Sequence, residues 1–287
     1  MTIRHIRKIV AGEATEDGAG VKLVRVLGPA TVDDFDPFLM LDAFDSTNPD
    51  DYIRGFPWHP HRGIETITYL VEGIIDHGDS LGNKGRIESG GCQWMTAGSG
   101  IIHQEMPQPA PRMLGLQFWL NLPRAQKMSP PKYHGAVKDQ VPVVNEDQAT
   151  IRVIAGDYQG LKGALTPDHV QADFLDVELT AEAEWSFKAD PEATIYLYIL
   201  SGGGVFDEKS GPVTKKKALL FGPGDEIKIK AGLEGLRFVL CQAGALSEPV
   251  AWGGPIVMNS RAELNQAFEE LENDTFIKNH EASGNLD

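Results

Sequence analysis

The chain has 287 residues, 41% of them hydrophobic and 23% charged, with 41 acidic against 26 basic side chains and a formal net charge of -15. That length accommodates two domains of ordinary size, and the composition is that of a globular protein with a charged surface. The acidic balance argues against direct nucleic-acid binding, because the one basic run, Lys215-Lys216-Lys217, is shorter than the ~5 to 8 residue tracts that mark such contacts.

In chain order, the opening MTIRHIRKIVAGEATEDGAG lacks the ~7 to 15 residue apolar stretch of a secretory signal. No run anywhere approaches the ~18 apolar residues of a membrane span. Cys92 and Cys241 lie far apart without Cys-x-x-Cys spacing, which indicates neither a disulfide framework nor a thiolate zinc site. The expectation is a soluble protein of the cytoplasm, and of the nucleus as well in a eukaryote, with no membrane contact.

Short apolar or alternating segments follow, punctuated by Gly, Pro, Asp and Asn, in the manner of sandwiches and barrels. The first half offers VKLVRVLG from Val21, FLMLDAF from Phe38, ETITYLVEG from Glu65 and GLQFWLNL from Gly115. Among them stand His59-Pro60-His61 and His103-Gln104-Glu105. On a strand, residues i and i+2 share a face, so each segment aims two metal-binding side chains at one point. Either pair alone also suits a solvated loop or a surface ion pair; together, in a strand-rich setting, they make a transition-metal shell of three imidazoles and a carboxylate. Imidazole suits iron, copper, nickel and zinc, and a carboxylate adds affinity for hard divalent ions, so the donor set does not name the metal. Structural zinc sites are usually cysteine-rich and closed at four ligands, whereas iron or manganese prefers more and would leave positions open for water, oxygen or substrate.

Phe56, Trp58, Trp94, Met95, Phe118 and Trp119 flank the ligand segments. They read as core fillers one by one and as an apolar pocket for a planar phenolic molecule collectively. His77 reads as a residue of an exposed turn, and Cys92 as a small buried hydrophobe.

Pro123, Pro130, Pro131 and Pro142 break up the stretch 122–144, and a linker is placed at 131–145. The second half repeats the strand pattern with TIRVIAG from Thr150, FLDVELT from Phe174, TIYLYILSG from Thr194, ALLFGPGDEIKIK from Ala218 and LRFVLCQAG from Leu236. Gly-rich turns between strands in both halves read as duplication of one all-β unit. The histidines assigned to the second half, His134, His169 and His280, show neither spaced pattern, so one unit carries the chemistry. Ser260-Arg261-Ala262-Glu263 forms a capping box ahead of Leu264, Ala267, Phe268 and Leu271, which predicts an amphipathic helix over about 260–273. The expected organisation is an all-β chain of two tandem barrels: 1–130 with the metal ligands, 146–250 without them, and a C-terminal segment 251–287 containing the helix.

HPHRGIETITYLVEG and QWMTAGSGIIHQEMP together resemble the signature segments of the pirin family, bicupins of the cupin superfamily. GLQFWLNLP from Gly115 and GPIVMNSRAELNQAF from Gly254 extend the likeness over most of the chain. The resemblance implies two cupin-type jelly-roll barrels and one divalent metal, expected as Fe(II), held by His59, His61, His103 and Glu105. Cu, Mn, Ni, Co and Zn remain compatible with the donors. Many cupins draw the carboxylate ligand from the first motif, where Glu65 stands; the pirin pattern gives the fourth position to Glu105 and leaves Glu65 to orient an imidazole.

Two functions follow from the resemblance. One is a quercetin 2,3-dioxygenase-type oxidoreductase that opens the central ring of a flavonol with oxygen and releases carbon monoxide, Glu105 accepting the proton of the 3-hydroxyl. The other is a metal- and redox-dependent regulatory protein that binds a transcription factor or a metabolic enzyme without catalysis, with Arg62 as an exposed reporter of the metal. A pocket open beside the metal would favour the first; a flat charged surface over a sealed metal would favour the second.

Overall fold

In a computed structural model that describes residues 2–279, β-strands are the dominant element, as the alternating segments require. Residues 280–287 of the expected C-terminal segment, His280 among them, lie outside the described residues. Two compact units divide the chain. One comprises the residues up to Glu13, Asp33–Asp36 and Gln140–Ala245; the other comprises Ala14–Val32, Pro37–Asp139 and the residues from Leu246 on.

The N-terminal strand β1 (Ile6–Ala11) belongs to the first unit. The strands of the second follow in order: β2 (Glu13–Asp17), β3 (Val21–Leu27), β4 (Phe38–Ser46), β5 (Phe56–His61), β6 (Ile64–Glu72), β7 (Ile74–Asp79), β8 (Lys84–Glu88), β9 (Cys92–Thr96), β10 (Ile101–Pro107), β11 (Met113–Asn121) and β12 (Lys132–Ala136). They form a seven-stranded sheet in the order β12-β9-β6-β11-β4-β3-β2 and a four-stranded sheet in the order β5-β10-β7-β8. The Thr68 hydroxyl on β6 hydrogen-bonds Glu105 on β10, joining the inner faces of the two sheets. The central strands β6 and β11 of the larger sheet are buried along nearly their whole length, polar residues included. His134, assigned from sequence to the second half, lies on β12 opposite Trp94 in this unit.

The C-terminal residues complete the same unit. The helix forms at Arg261–Glu272, with Ser260 as N-cap accepting from the Glu263 amide at 3.2 Å. The Glu263 carboxylate in turn accepts from the Ser260 hydroxyl at 2.9 Å and from the Asn259 amide at 3.2 Å, so the box closes one residue earlier than its simplest form. Leu264 and Ala267 are buried, in one cluster with Ile256, Met258 and Phe276, while Phe268 is exposed and Leu271 is only partly covered. The helix therefore docks by the first half of its stripe. Gly63, at φ +75°, lets the chain turn between β5 and β6, and a Cβ there would clash with the Val257 carbonyl.

Beside a small two-stranded sheet, the other unit is built on a nine-stranded one in which the long strands Ala193–Val205 and Glu226–Gly244 pair antiparallel through two irregularities, at Ile199/Ser201 and Gly202/Gly204. Such bulges let a long strand bend and serve both sides of a barrel. Its interior is packed with Trp185, Leu197, Ile227, Phe238 and Leu240, all buried. Among the described residues, no group of three metal-type ligands occurs in this unit.

Candidate metal centre

Two adjacent antiparallel strands build the site. On β10 the residues alternate buried and half-buried, so His103 and Glu105 point inward while Gln104 and Met106 point away. β5 is an edge strand, which tolerates Pro57 and Pro60 because a proline nitrogen on the free side forfeits no ladder hydrogen bond. The register sets His59 opposite His103 and His61 opposite Ile101. All three imidazoles converge: ring centroids lie 4.4 Å apart for His59 and His103, 4.8 Å for His59 and His61, and 5.0 Å for His61 and His103. One nitrogen of each ring falls within 4.8 Å of the others. Glu105, the fourth expected ligand, is not part of that convergent group but lines the same cavity as His59 and His61, with Oε1 accepting from Thr68 Oγ1 at 3.1 Å.

Hydrogen bonding fixes the tautomers of two rings. His59 Nδ1 contacts the Pro57 carbonyl at 2.9 Å and His61 Nδ1 the Pro255 carbonyl at 3.1 Å. A carbonyl only accepts, so both protons sit on Nδ1, and in the neutral rings both Nε2 atoms present lone pairs. Those two Nε2 atoms face each other at 3.0 Å. Facing lone pairs repel unless a cation stands between them. Burial, aided by His59, pushes the pKa of His61 down to about 3, so that ring does not itself carry a second proton. Burial first, then the neighbouring imidazoles, likewise holds His103 well below the usual range. Among the described residues, neither of the buried ring nitrogens of His103 has a hydrogen-bond partner. A metal ion resolves both conditions, so the donor set fits one.

Several neighbours have positions that the sequence did not indicate. Glu65 is fully buried and accepts from Thr96 Oγ1 at 2.8 Å. Backbone carbonyls, not Glu65, orient the rings of His59 and His61. Arg62, expected at the surface, is 2% exposed: its guanidinium donates to the carbonyls of Ser99 and Phe276, pairs with Glu270 at 2.7 Å and covers the Phe276 ring at 4.2 Å. An arginine so enclosed cannot act as an exposed reporter. His77 is not in an exposed turn but buried on β7 opposite Glu105, bonded to Gln93 at 2.5 Å and stacked on Tyr133. Cys92 is a buried thiol, its pKa pushed up to about 12 by burial.

A cavity of about 540 Å³ opens beside the histidines, its wall including His59, His61 and Glu105. That volume lies within the range typical of small-molecule sites, roughly 300–1,000 Å³. Of the aromatic residues picked out by sequence, Phe56 and Trp119 line it. Trp119 meets His61 edge-on at 4.9 Å and Trp252 at 5.8 Å. Trp94, Met95 and Phe118 are buried elsewhere in the unit, and Trp58 is exposed at a second, smaller cavity. Met40, Asp42, Phe44, Gln117 and Trp252 complete much of the wall. The strand period could have pointed to several of these, since Met40, Asp42 and Phe44 alternate on β4, as do Gln117 and Trp119 on β11.

Comparison with known proteins is consistent with this architecture. The Pirin family model matches residues 20–120, and that of the Pirin C-terminal cupin domain matches residues 174–277. A pirin-like protein of Caulobacter vibrioides is 40% identical over 96% of this chain and all of its own length. A putative quercetin 2,3-dioxygenase of Pseudomonas aeruginosa is 37% identical over 93% of this chain and 96% of its own. Among solved structures, a quercetin 2,3-dioxygenase from Acinetobacter baumannii superposes with a TM-score of 0.86 at 28% identity, covering 96% of this chain and 98% of that one.

Proposed function

This chain belongs to the pirin family, and on that premise we propose that it is an iron-dependent dioxygenase acting on flavonols such as quercetin, opening the central ring with oxygen and releasing carbon monoxide. The observation that carries this reading is the cavity beside the histidines, whose wall takes in His59, His61 and Glu105 together with aromatic side chains. A chain that only reported the state of a metal would have no need of such a space. The regulatory alternative also loses its surface reporter, since Arg62 is buried.

Iron held by His59, His61, His103 and Glu105 would supply Lewis acidity and a one-electron redox couple to the oxygen chemistry. The rest falls to the protein. Phe44, Phe56, Trp119 and Trp252 give a flat ring apolar walls and displace water from around it. Glu105 is the carboxylate placed to receive the proton of the flavonol 3-hydroxyl. Burial raises its pKa, opposed by His59 and by the Thr68 hydrogen bond, and a cation bound at the site would oppose it further. Thr68 Oγ1 lies 3.1 Å from one carboxylate oxygen and 2.6 Å from Gln117 Oε1, and its single proton serves the carboxylate when the Gln117 amide turns its nitrogen to the hydroxyl.

The test is a panel of metals against substrates. Protein loaded anaerobically with iron, copper, manganese, nickel or cobalt is mixed with quercetin and then with air. Consumption of the flavonol's near-ultraviolet absorbance in proportion to iron-loaded protein is the expected result, with carbon monoxide detected as product. Absence of turnover with every metal would overturn the catalytic reading.

A further inference from the structure

The inner face of the larger sheet carries a row of polar side chains where its neighbours are apolar. Register places Arg25 on β3 opposite Asp42 on β4, Asp42 opposite Gln117 on β11, and Gln117 opposite Thr68 on β6. Arg25, Asp42 and Gln117 line the same cavity as the histidines, and Thr68 touches both Gln117 and Glu105. Neighbouring strands lie about 4.8 Å apart, so the Arg25 backbone stands roughly 14 Å from that of Thr68. The cavity thus has a metal-side end and a charged far end, separated by more than one aromatic ring.

The far end is a half-used hydrogen-bonding group. Arg25 donates from Nε and Nη2 to both oxygens of Asp42, at 2.9 and 2.7 Å, and from Nη2 to Asp17 Oδ2 at 2.6 Å. None of its bonds among the described residues uses Nη1, which keeps two N–H donors. Asp17 is half-exposed at the lip, its Oδ1 accepting from the Gly18 amide at 2.7 Å, so each of its oxygens retains a free lone pair. Met40 and Phe44, two positions either side of Asp42, are apolar and line the same wall. An ion pair set among them carries a desolvation cost that hydrophobic residues of similar volume would avoid.

We infer that Asp17, Arg25 and Asp42 form the distal subsite of this cavity and select an occupant bearing hydroxyl groups on the ring remote from the histidines. A hydroxyl both donates and accepts, and so complements the spare carboxylate lone pairs beside the spare Nη1 donors. A carboxylate or sulfate meets two aspartates against one arginine, a net negative field. An unsubstituted ring would occlude the polar groups without replacing their water. The class selected is therefore a polyhydroxylated, multi-ring phenol, a refinement that rests on the proposed flavonol reading.

Quercetin and 3-hydroxyflavone share the reacting 3-hydroxyl and differ in their outer-ring hydroxyls, which makes them the probe pair. Binding is read anaerobically on metal-loaded protein, by quenching of the fluorescence to which Trp119 and Trp252 contribute. The expected result is a Kd roughly tenfold lower for quercetin. Asp17→Asn and Arg25→Lys should each draw quercetin's Kd towards that of 3-hydroxyflavone. Asp17→Asn changes only an exposed lip residue, so it keeps the test valid if Arg25→Lys misfolds. Equal Kd values in the parent protein, no binding of either flavonol, or discrimination undiminished in a folded Asp17→Asn would overturn the subsite. Discrimination without turnover upholds the subsite while the dioxygenase reading falls; turnover without discrimination does the reverse.

Discussion

The chemistry at the centre depends on which nitrogen of each histidine is free, and the backbone decides that. Because carbonyls of Pro57 and Pro255 take the Nδ1 protons, His59 and His61 offer Nε2 to the same point. Glu105 is held in a comparable way by one hydroxyl, that of Thr68. Partners behind a ligand typically change metal affinity by about 10- to 100-fold. Thr68→Val, which keeps shape and removes the hydroxyl, should therefore weaken metal binding by about tenfold in a competitive chelator titration. His61→Ala and Glu105→Ala should abolish stoichiometric binding altogether. Full metal content in either alanine variant would sink the ligand assignment, and an unchanged affinity in Thr68→Val would mean that Glu105 needs no such anchor.

At the scale of elements, the C-terminal helix is tied to the ligand-bearing strand. Arg62 directly follows His61 and reaches Glu270 on the helix, while Lys278 pairs with the same carboxylate at 2.9 Å. Partial burial alone would raise the pKa of Glu270; hydrogen bonds from Lys278 and Arg62 reverse this and hold it at about 2. A carboxylate depressed in the folded state contributes stability that is complete above its ordinary value of 4.5 and is lost as pH falls towards about 2. Glu270→Gln should lower stability at neutral pH by about 1–3 kcal/mol and flatten the acid limb of a plot of urea midpoint against pH. An acid limb as steep as in the parent protein would show that other carboxylates carry it. The capping box and the first half of the apolar stripe announced this helix in the sequence. Its clamp did not announce itself, because an arginine beside a metal motif looks the same in sequence whether it faces water or is enclosed.

For the whole molecule, alternation within strands made the all-β class and the spaced pairs legible, since a period of two is a local property. The cavity was not legible, because it is assembled from strands distant in sequence. Its signals were present as buried polar residues within strands: Asp42 in FLMLDAF, Thr68 in ETITYLVE and Gln117 in MLGLQFWLN. Only the register shows that they form one row. The same logic separates the two units, for the interior of the second is filled by Trp185, Phe238 and other apolar side chains. A metal should therefore stabilise one unit locally. A ligand at a hundred times its Kd adds about 2.7 kcal/mol against any opening that destroys its site, or roughly hundredfold slower amide exchange. Anaerobic Fe(II) should slow exchange by up to that factor in Phe56–His61 and Ile101–Pro107. Ala193–Val205 and Glu226–Gly244 should exchange at the same rate with and without metal. Equal protection of both sets would place metal outside the histidine cluster, and protection confined to β5 and β10 would tie it to the imidazoles and carboxylate they carry.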